Sequence, residues 1–225
     1  MEAAIREGAH PPGSRLPTEQ ELAGRFGVNR HTLRRAMESL EARGLVSIEQ
    51  GRGSFVTEDL LDYPLGARTR FSEIIRAQNR EPAGRILRVE TIAAPRRIAE
   101  MLGLRPGAPI ILAERLALAD GRPVVIGTHH FPEARFPHIA ESLAEDASIT
   151  RALTLAGVPD YRRHSTRITA RLPLAEEAGL LEQPRTRPVL VSEALNTDPA
   201  GEPVLASVSV YAAGRAQIVV EAAAP

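Results

Sequence analysis

Apolar positions between Thr18 and Leu40 fall into two helical sets. Leu22, Ala23 and Phe26 form a stripe on one helix face, and Leu33, Ala36, Met37 and Leu40 follow the i, i+3, i+4, i+7 spacing of another. Each set has its own start signal. Thr18 followed by Glu21 is the capping-box arrangement, and Asn29 stands at a second N-cap just past the break at Gly27-Val28. Gly44 occupies the position at which the second helix should end. Residues 45–49 and 54–57 flank Gln50-Gly51-Arg52-Gly53 and predict a hairpin. The pattern therefore predicts a helix-turn-helix with a wing over residues 1–57.

Residues 58–69 have no sustained period and contain Pro64 and Gly66, so a linker is expected there. Beyond it the chain repeats itself. Ile98-Ala-Glu-Met-Leu-Gly-Leu104, Pro109-Ile-Ile-Leu112 and Asp120-Gly-Arg-Pro-Val124 are echoed by Ala175-Glu-Glu-Ala-Gly-Leu-Leu181, Pro188-Val-Leu-Val191 and Asp198-Pro-Ala-Gly-Glu-Pro-Val204, with Pro109 and Pro188 79 residues apart and Pro123 and Pro203 80. Helix, strand, turn and strand recurring twice predict an α+β domain over residues 70–222. In it, each half supplies a hairpin to one antiparallel sheet.

Composition narrows the function. Across 225 residues, 43% apolar and 25% charged positions exclude a collagen-like or wholly disordered chain. No run of about 18 apolar residues occurs, and the N-terminus is charged where a secretory segment is apolar, so a cytoplasmic protein without a membrane span is expected. Without Cys there is no disulfide, thiolate nucleophile or Cys-ligated zinc. All 28 basic residues are Arg, balanced by 28 acids, which excludes a generally polybasic protein and requires any nucleic-acid contact to be local. One stretch meets that requirement: from Leu22 to Met37 stand Arg25, Arg30, Arg34 and Arg35 and no acid. In a helix-turn-helix the second helix enters the major groove, which puts Asn29, Arg30, His31, Thr32, Arg34 and Arg35 at the DNA. Arg30 and Arg34 share a helix face, and each can pair bidentately with guanine for about 1–3 kcal/mol of discrimination. Gln20, Arg25, Thr32 and Arg35 are expected on phosphates, and Arg52 between two glycines at the wing tip in a minor groove. This reading requires Arg30 and Arg34 to be exposed and free of carboxylate partners in their own subunit.

These residues resemble a family. Leu16-Pro-Thr-Glu-Gln-Glu-Leu-Ala23, Phe26-Gly-Val-Asn-Arg-His-Thr-Leu-Arg-Arg-Ala36, Leu40-Glu-Ala-Arg-Gly-Leu-Val46 and Gly51-Arg-Gly-Ser-Phe-Val56 are similar to the winged helix of GntR-family bacterial regulators. The remainder resembles the effector domain of the HutC subfamily, the UTRA domain, with a chorismate-lyase-like fold. Within that group, Tyr63-Pro-Leu-Gly-Ala-Arg-Thr-Arg-Phe-Ser72 and Phe131-Pro-Glu-Ala-Arg-Phe-Pro137 are most similar to regulators of phosphonate metabolism. The resemblance implies DNA contacts by Gln20, Asn29, Arg30, His31, Thr32, Arg34, Gln50, Gly51 and Arg52. It also implies an anionic effector held by Phe71, Ser72, Arg115, Ser148, Thr150 and Tyr211, chemistry that suits an Arg-and-hydroxyl cluster. Two positions depart from sugar-phosphate-responsive relatives: Ala117 replaces a second Arg and Leu205 a sugar-binding Glu, which disfavours an amino sugar. A third departure is the first helix. Only residues 2–8 precede the Pro11-Pro12 loop, so either the start lies too far downstream or the helix is a stub that leaves Leu22, Leu40 and Val46 thinly covered.

Adjacent His129 and His130 on a strand point to opposite faces and are poor joint metal ligands. His10, His31, His138 and His164 are scattered, and no P-loop, Gly-x-Ser-x-Gly or dinucleotide fingerprint occurs, so no metal or cofactor is expected. The chain is thus expected to be a homodimeric, ligand-responsive repressor, not an enzyme, binding double-stranded operator DNA and released by a small anionic metabolite. Its two hairpin-bearing halves are expected to form the dimer contact. Two alternatives are an enzyme using Arg115 with Glu114 or Arg167 on a carboxylate substrate, and an architectural DNA binder with an inert second domain.

Overall fold

A short helix, α1 (Glu2–Arg6), precedes the pair predicted from the pattern, α2 (Glu19–Phe26) and α3 (Arg30–Ala42). The computed structural model describes residues 1–49, 51–57 and 60–220. The capping box forms as expected: the Glu21 amide donates to Thr18 Oγ1 at 3.3 Å, and the Thr18 amide donates to Glu21 Oε2 at 2.8 Å. Gly27 closes α2 in the left-handed region at φ +63°, where any side chain would be strained. Strands β1 (Val46–Glu49) and β2 (Gly53–Val56) pair antiparallel as the wing. Leu16, Leu22, Leu33, Met37, Leu40, Val46 and Val56 form one core. The thin cover expected from a stub helix is corrected. Leu22 is 1% exposed, Leu40 7% and Val46 2%, because Met1 and Ile5 close the cluster from α1.

A second compact unit begins at Leu61. It runs β3 (Leu61–Pro64), α4 (Phe71–Ala77), β4 (Pro82–Ala93), α5 (Arg96–Leu102), β5 (Pro109–Ala119), β6 (Arg122–Pro132), α6 (Ile139–Glu145), α7 (Ile149–Leu155), β7 (Arg162–Arg171), α8 (Ala175–Leu180), β8 (Val189–Thr197), β9 (Pro203–Ala212) and β10 (Ala216–Val219). The linker expected over 58–69 is corrected in part. Residues 61–64 pair in parallel with β10, Leu61 opposite Ala216, and bury Leu61 and Tyr63, so these four positions belong to the second unit. The signal was hidden because a strand this short, ending in Pro, shows almost no period. Arg215 secures the same region from within, its buried guanidinium donating to the carbonyls of Pro123, Leu181 and Glu182.

The predicted repeat is the organising feature of this unit. Its sheet has the antiparallel order β4-β5-β6-β9-β8-β7, so each repeat contributes an outer strand, a helix and a hairpin. Across the central seam Thr128 pairs with Val208, its own counterpart at the 80-residue offset, and Gly127 and His129 pair with Ser209 and Ser207. A pseudo-twofold axis therefore passes through the Thr128–Val208 pair. Alternation of side chains divides the layers. Ile110 and Ala206 pack with α5, and Leu116, Ile126 and Val189 with Leu181 at the end of α8, so the repeat-related helices cover one face. On the other face Ile111, Ala113 and Phe131 pack with α6 and α7, while Ala117 and Val125 pack with α4 and Tyr63.

Replacing Leu22 by Ala should destabilise the N-terminal unit by about 2–5 kcal/mol, the usual range for emptying a full leucine site. Denaturant unfolding of the whole chain checks this, and a loss below about 1 kcal/mol would mean that α1 collapses into the space.

Candidate functional site

In the first unit the exposed edge of α3 faces the wing across an open groove lined by Arg15, Gln20, Arg30, Arg34, Gly51 and Ser54 among others. The groove collects four of the residues expected at DNA: Gln20, Arg30, Arg34 and Gly51. Arg25, His31, Thr32 and Arg35 are exposed elsewhere on α2 and α3. Gln50 lies outside the described residues. Asn29 caps α3 as its position predicts, its Oδ1 accepting the Thr32 amide at 2.8 Å, and it stays exposed at the start of that helix. Arg52 is folded back at the hairpin, its Nη1 2.9 Å from Glu49 Oε2 and its guanidinium over the Phe55 ring at 5.9 Å. The requirement that Arg30 and Arg34 be unpaired is also corrected. Arg30 Nε lies 3.3 Å from Glu19 and Arg34 Nε 3.4 Å from Glu38, the acids just outside the Arg-rich run. Both side chains remain 81% and 69% exposed, and an exposed ion pair is worth only about 0–1 kcal/mol, so exchanging it for a phosphate or guanine is nearly free. Arg15, which the sequence reading passed over, belongs to the same groove. Its guanidinium lies where a Cβ on Gly53 would stand, 2.9 Å from Nε.

The second unit holds a cavity of about 90 Å³ on the sheet face covered by α4, α6 and α7. On this measure it has room for roughly half a dozen water-sized groups. Phe71, Ser72, Arg115, Ser148 and Thr150, expected at an effector site, all line it, and Ala117 and Leu205 do too. Tyr211 does not, and that expectation is corrected. It is 1% exposed within the core and supports Tyr63, which takes the wall position, the two rings packed edge to face with centroids 5.0 Å apart. Arg115 crosses the neighbouring strand to reach the cavity. Its Nε donates to the Ala147 carbonyl, its guanidinium lies 5.5 Å from the Phe71 ring centroid, and a Cβ on Gly84 would sit 2.2 Å from Nη2. Burial draws this guanidinium below its ordinary pKa. The hydroxyls are held too: Ser148 caps α7 through the Arg151 amide, and Thr150 Oγ1 is 3.1 Å from the Tyr161 hydroxyl.

Arg70, His129, Tyr161 and Arg163 also line the wall, though nothing in the sequence had assigned them to the effector. The cavity wall thus carries three Arg and one His and, among the described residues, no Asp or Glu. Arg70 is stacked on Tyr161 at 4.2 Å, and Arg163 comes from the start of β7. Burial, followed by Arg115, His130 and Arg163, pushes His129 down to about 3, so its ring is neutral. An outer recess shares Arg70, Ser72, Arg115, Ser148 and Thr150 with the cavity and gives it a way out to solvent. The enzyme alternative loses its geometry. Glu114 pairs toward Arg88 on the opposite sheet face from Arg115, and Arg167 is exposed on β7, so neither joins the cavity.

Residues 1–56 match the family model for bacterial regulatory proteins, gntR family, and residues 77–217 match the UTRA domain. An HTH-type transcriptional regulator of Rhizobium meliloti is 38% identical over 219 residues, 97% of this chain and 90% of that protein. The HTH-type transcriptional repressor PhnF of Mycolicibacterium smegmatis is 31% identical over 187 residues, 83% of this chain and 75% of that protein. The crystal structure of PhnF from Mycobacterium smegmatis aligns with 100% of this chain and 98% of its own at a TM-score of 0.71 and 26% identity.

The depressed His129 pKa makes stability depend on acid. An unfolded histidine binds its proton near pH 6.5 and the folded one only near 3. Stability is therefore complete above about 6.5 and falls as the pH drops toward 3, by at most about 1.4 kcal/mol per unit. Thermal melts between about pH 7 and 5 should show a steeper loss for the wild-type chain than for His129→Asn. Equal slopes would mean the ring gains its proton in place.

Proposed function

Because the chain belongs to the GntR family of bacterial regulatory proteins and carries a UTRA domain, it is a transcriptional regulator, and we propose that it is a homodimeric repressor. It binds a palindromic operator through α3 and the wing and lets go when a small phosphonate or phosphate-ester anion fills the cavity. The observation that carries this reading is the cavity wall, three Arg and, among the described residues, no carboxylate, which favours a negatively charged occupant strongly over a neutral one. The groove with Arg15, Gln20, Arg30 and Arg34 supports the DNA half of the reading. A single recognition helix reads only a few base pairs, so two on a twofold axis are needed to define an operator. Exposed Ile168, Leu172 and Leu174 at the outer β7 strand offer apolar surface for a second copy.

The cavity is also connected to the DNA-binding unit by the chain itself. Thr69, Arg70, Phe71 and Ser72 all line it, and they follow directly on β3, the first element after the N-terminal unit. An anion that draws this segment inward acts on the stretch leading to the winged helix. Coupling of about 1–3 kcal/mol between the two sites is enough to work as a switch.

Two outcomes test the reading. Arg30→Ala should weaken binding to a duplex selected from a random library by the wild-type chain, by about tenfold or more, and relax base preference. Unchanged affinity in a gel-shift titration would remove α3 from the interface. Gly84→Ala should displace the flexible end of Arg115 while leaving the melting temperature within a few degrees. Release of that duplex by methylphosphonate should then need at least tenfold more ligand. Release at the wild-type concentration would show that Arg115 does not hold the anion.

A further inference from the structure

The polar groups of the cavity divide into those already partnered and those left waiting. Arg115 Nε has the Ala147 carbonyl, Ser148 Oγ has the Arg151 amide, and Thr150 has Tyr161. Three other wall atoms, Arg70 Nη1, Arg163 Nε and His129 Nδ1, are buried without a hydrogen-bond partner among the described residues. They come from three separate elements, the N-cap of α4, the start of β7 and the middle of β6. The carboxylates nearest Arg70 do not reach Nη1: Glu73 lies 3.7 Å from Nε and Asp160 3.9 Å from Nη2, and the side chain is only 9% exposed. Arg163 makes one long contact, Nη1 to Thr166 Oγ1 at 3.4 Å. Leaving buried N–H groups unmet is costly, and most of all on a charged group, so such groups mark the place of a missing partner.

We propose that Arg70, Arg163 and His129 are specificity-determining donors of the cavity and select a doubly charged tetrahedral oxyanion, a phosphonate or phosphate monoester, over a carboxylate. This rests on the reading of the cavity as the effector site and adds three donors to Ser72, Ser148 and Arg115. A tetrahedral group offers three oxygens in three directions, matching three N–H donors from three elements. Its two charges balance a wall of three guanidinium groups better than one does. A planar carboxylate has two oxygens in one plane and leaves one donor unmet in a cavity of this size. The neutral His129 ring serves as a donor from Nδ1 without adding a fourth charge.

Isothermal titration calorimetry on the full-length chain tests this with methylphosphonate, methyl phosphate and acetate as probes. The wild-type chain should bind both tetrahedral anions at least thirtyfold more tightly than acetate, and the two tetrahedral anions show whether the bridging oxygen matters. Arg163→Gln and His129→Asn should each lose at least tenfold for the tetrahedral probes, while acetate changes little. Arg163→Lys, which keeps the charge and removes Nε, should fall between. The ligand-free Arg163→Gln chain should melt at or above the wild-type temperature, because a buried unpartnered Nε–H has been removed, whereas a structural role would lower it. If Arg163→Gln and His129→Asn bind methylphosphonate like wild type while Arg115→Gln does not, the assignment of these added donors is wrong and the effector reading stands. Acetate binding as tightly as the tetrahedral probes overturns the selectivity. No binding of any probe by the wild-type chain overturns the effector reading as well.

Discussion

Holding guanidinium groups around a cavity of about 90 Å³ is unfavourable in the absence of ligand, because they repel one another and lose hydration with no carboxylate in the wall. Much of the second unit can be understood as what makes that arrangement tolerable. Gly84 gives up a side chain so that Arg115 can lie across its strand, and Phe71 and Ala147 supply a ring face and a carbonyl to receive it. Tyr161 does the same for Arg70, with its ring 4.2 Å from the guanidinium carbon. Phe71, Ala147 and Tyr161 are uncharged, and the carboxylates beside Arg70, Glu73 and Asp160, stand 3.7 and 3.9 Å away, so much of the positive charge stays available.

The pseudo-twofold sheet explains where such a site can be built. One face is covered by α5 and α8, repeat-related helices with equivalent packing, and that face is scaffold. On the other face the symmetry is broken by α4, α6 and α7, which have no second copies. The 79-residue offset places Ala194 where the first repeat has Arg115, and the 80-residue offset makes Ser209 the counterpart of His129. A symmetric sheet thus carries an asymmetric site, because only one repeat has the Arg and the added helices that roof it.

The winged helix follows a different economy. Two of its exposed Arg residues are loosely held by nearby acids, Arg30 by Glu19 and Arg34 by Glu38. Such pairs partly balance the charge of α3, and a polyanion displaces them at little cost. The same residue type therefore does two jobs: exposed and exchangeable on α3, buried and waiting in the cavity.

The local features were legible in the sequence. The Thr18–Glu21 box, the Gly27 break, the wing hairpin and the helix-hairpin repeat depend on residues three to a dozen positions apart, and capping and alternation act over that range. Resemblance added Ser72, Arg115, Ser148 and Thr150, which the fold brings to one cavity. Only the tertiary structure decided that Arg70, His129 and Arg163 join them, that Tyr63 stands in place of Tyr211, and that residues 61–64 are a strand. Those outcomes rest on contacts across as many as 155 residues, as between Gln217 and Asp62. Periodicity says which face of a strand a side chain occupies, but which neighbours meet there, and which donors are left without a partner, depends on the packing of the whole unit.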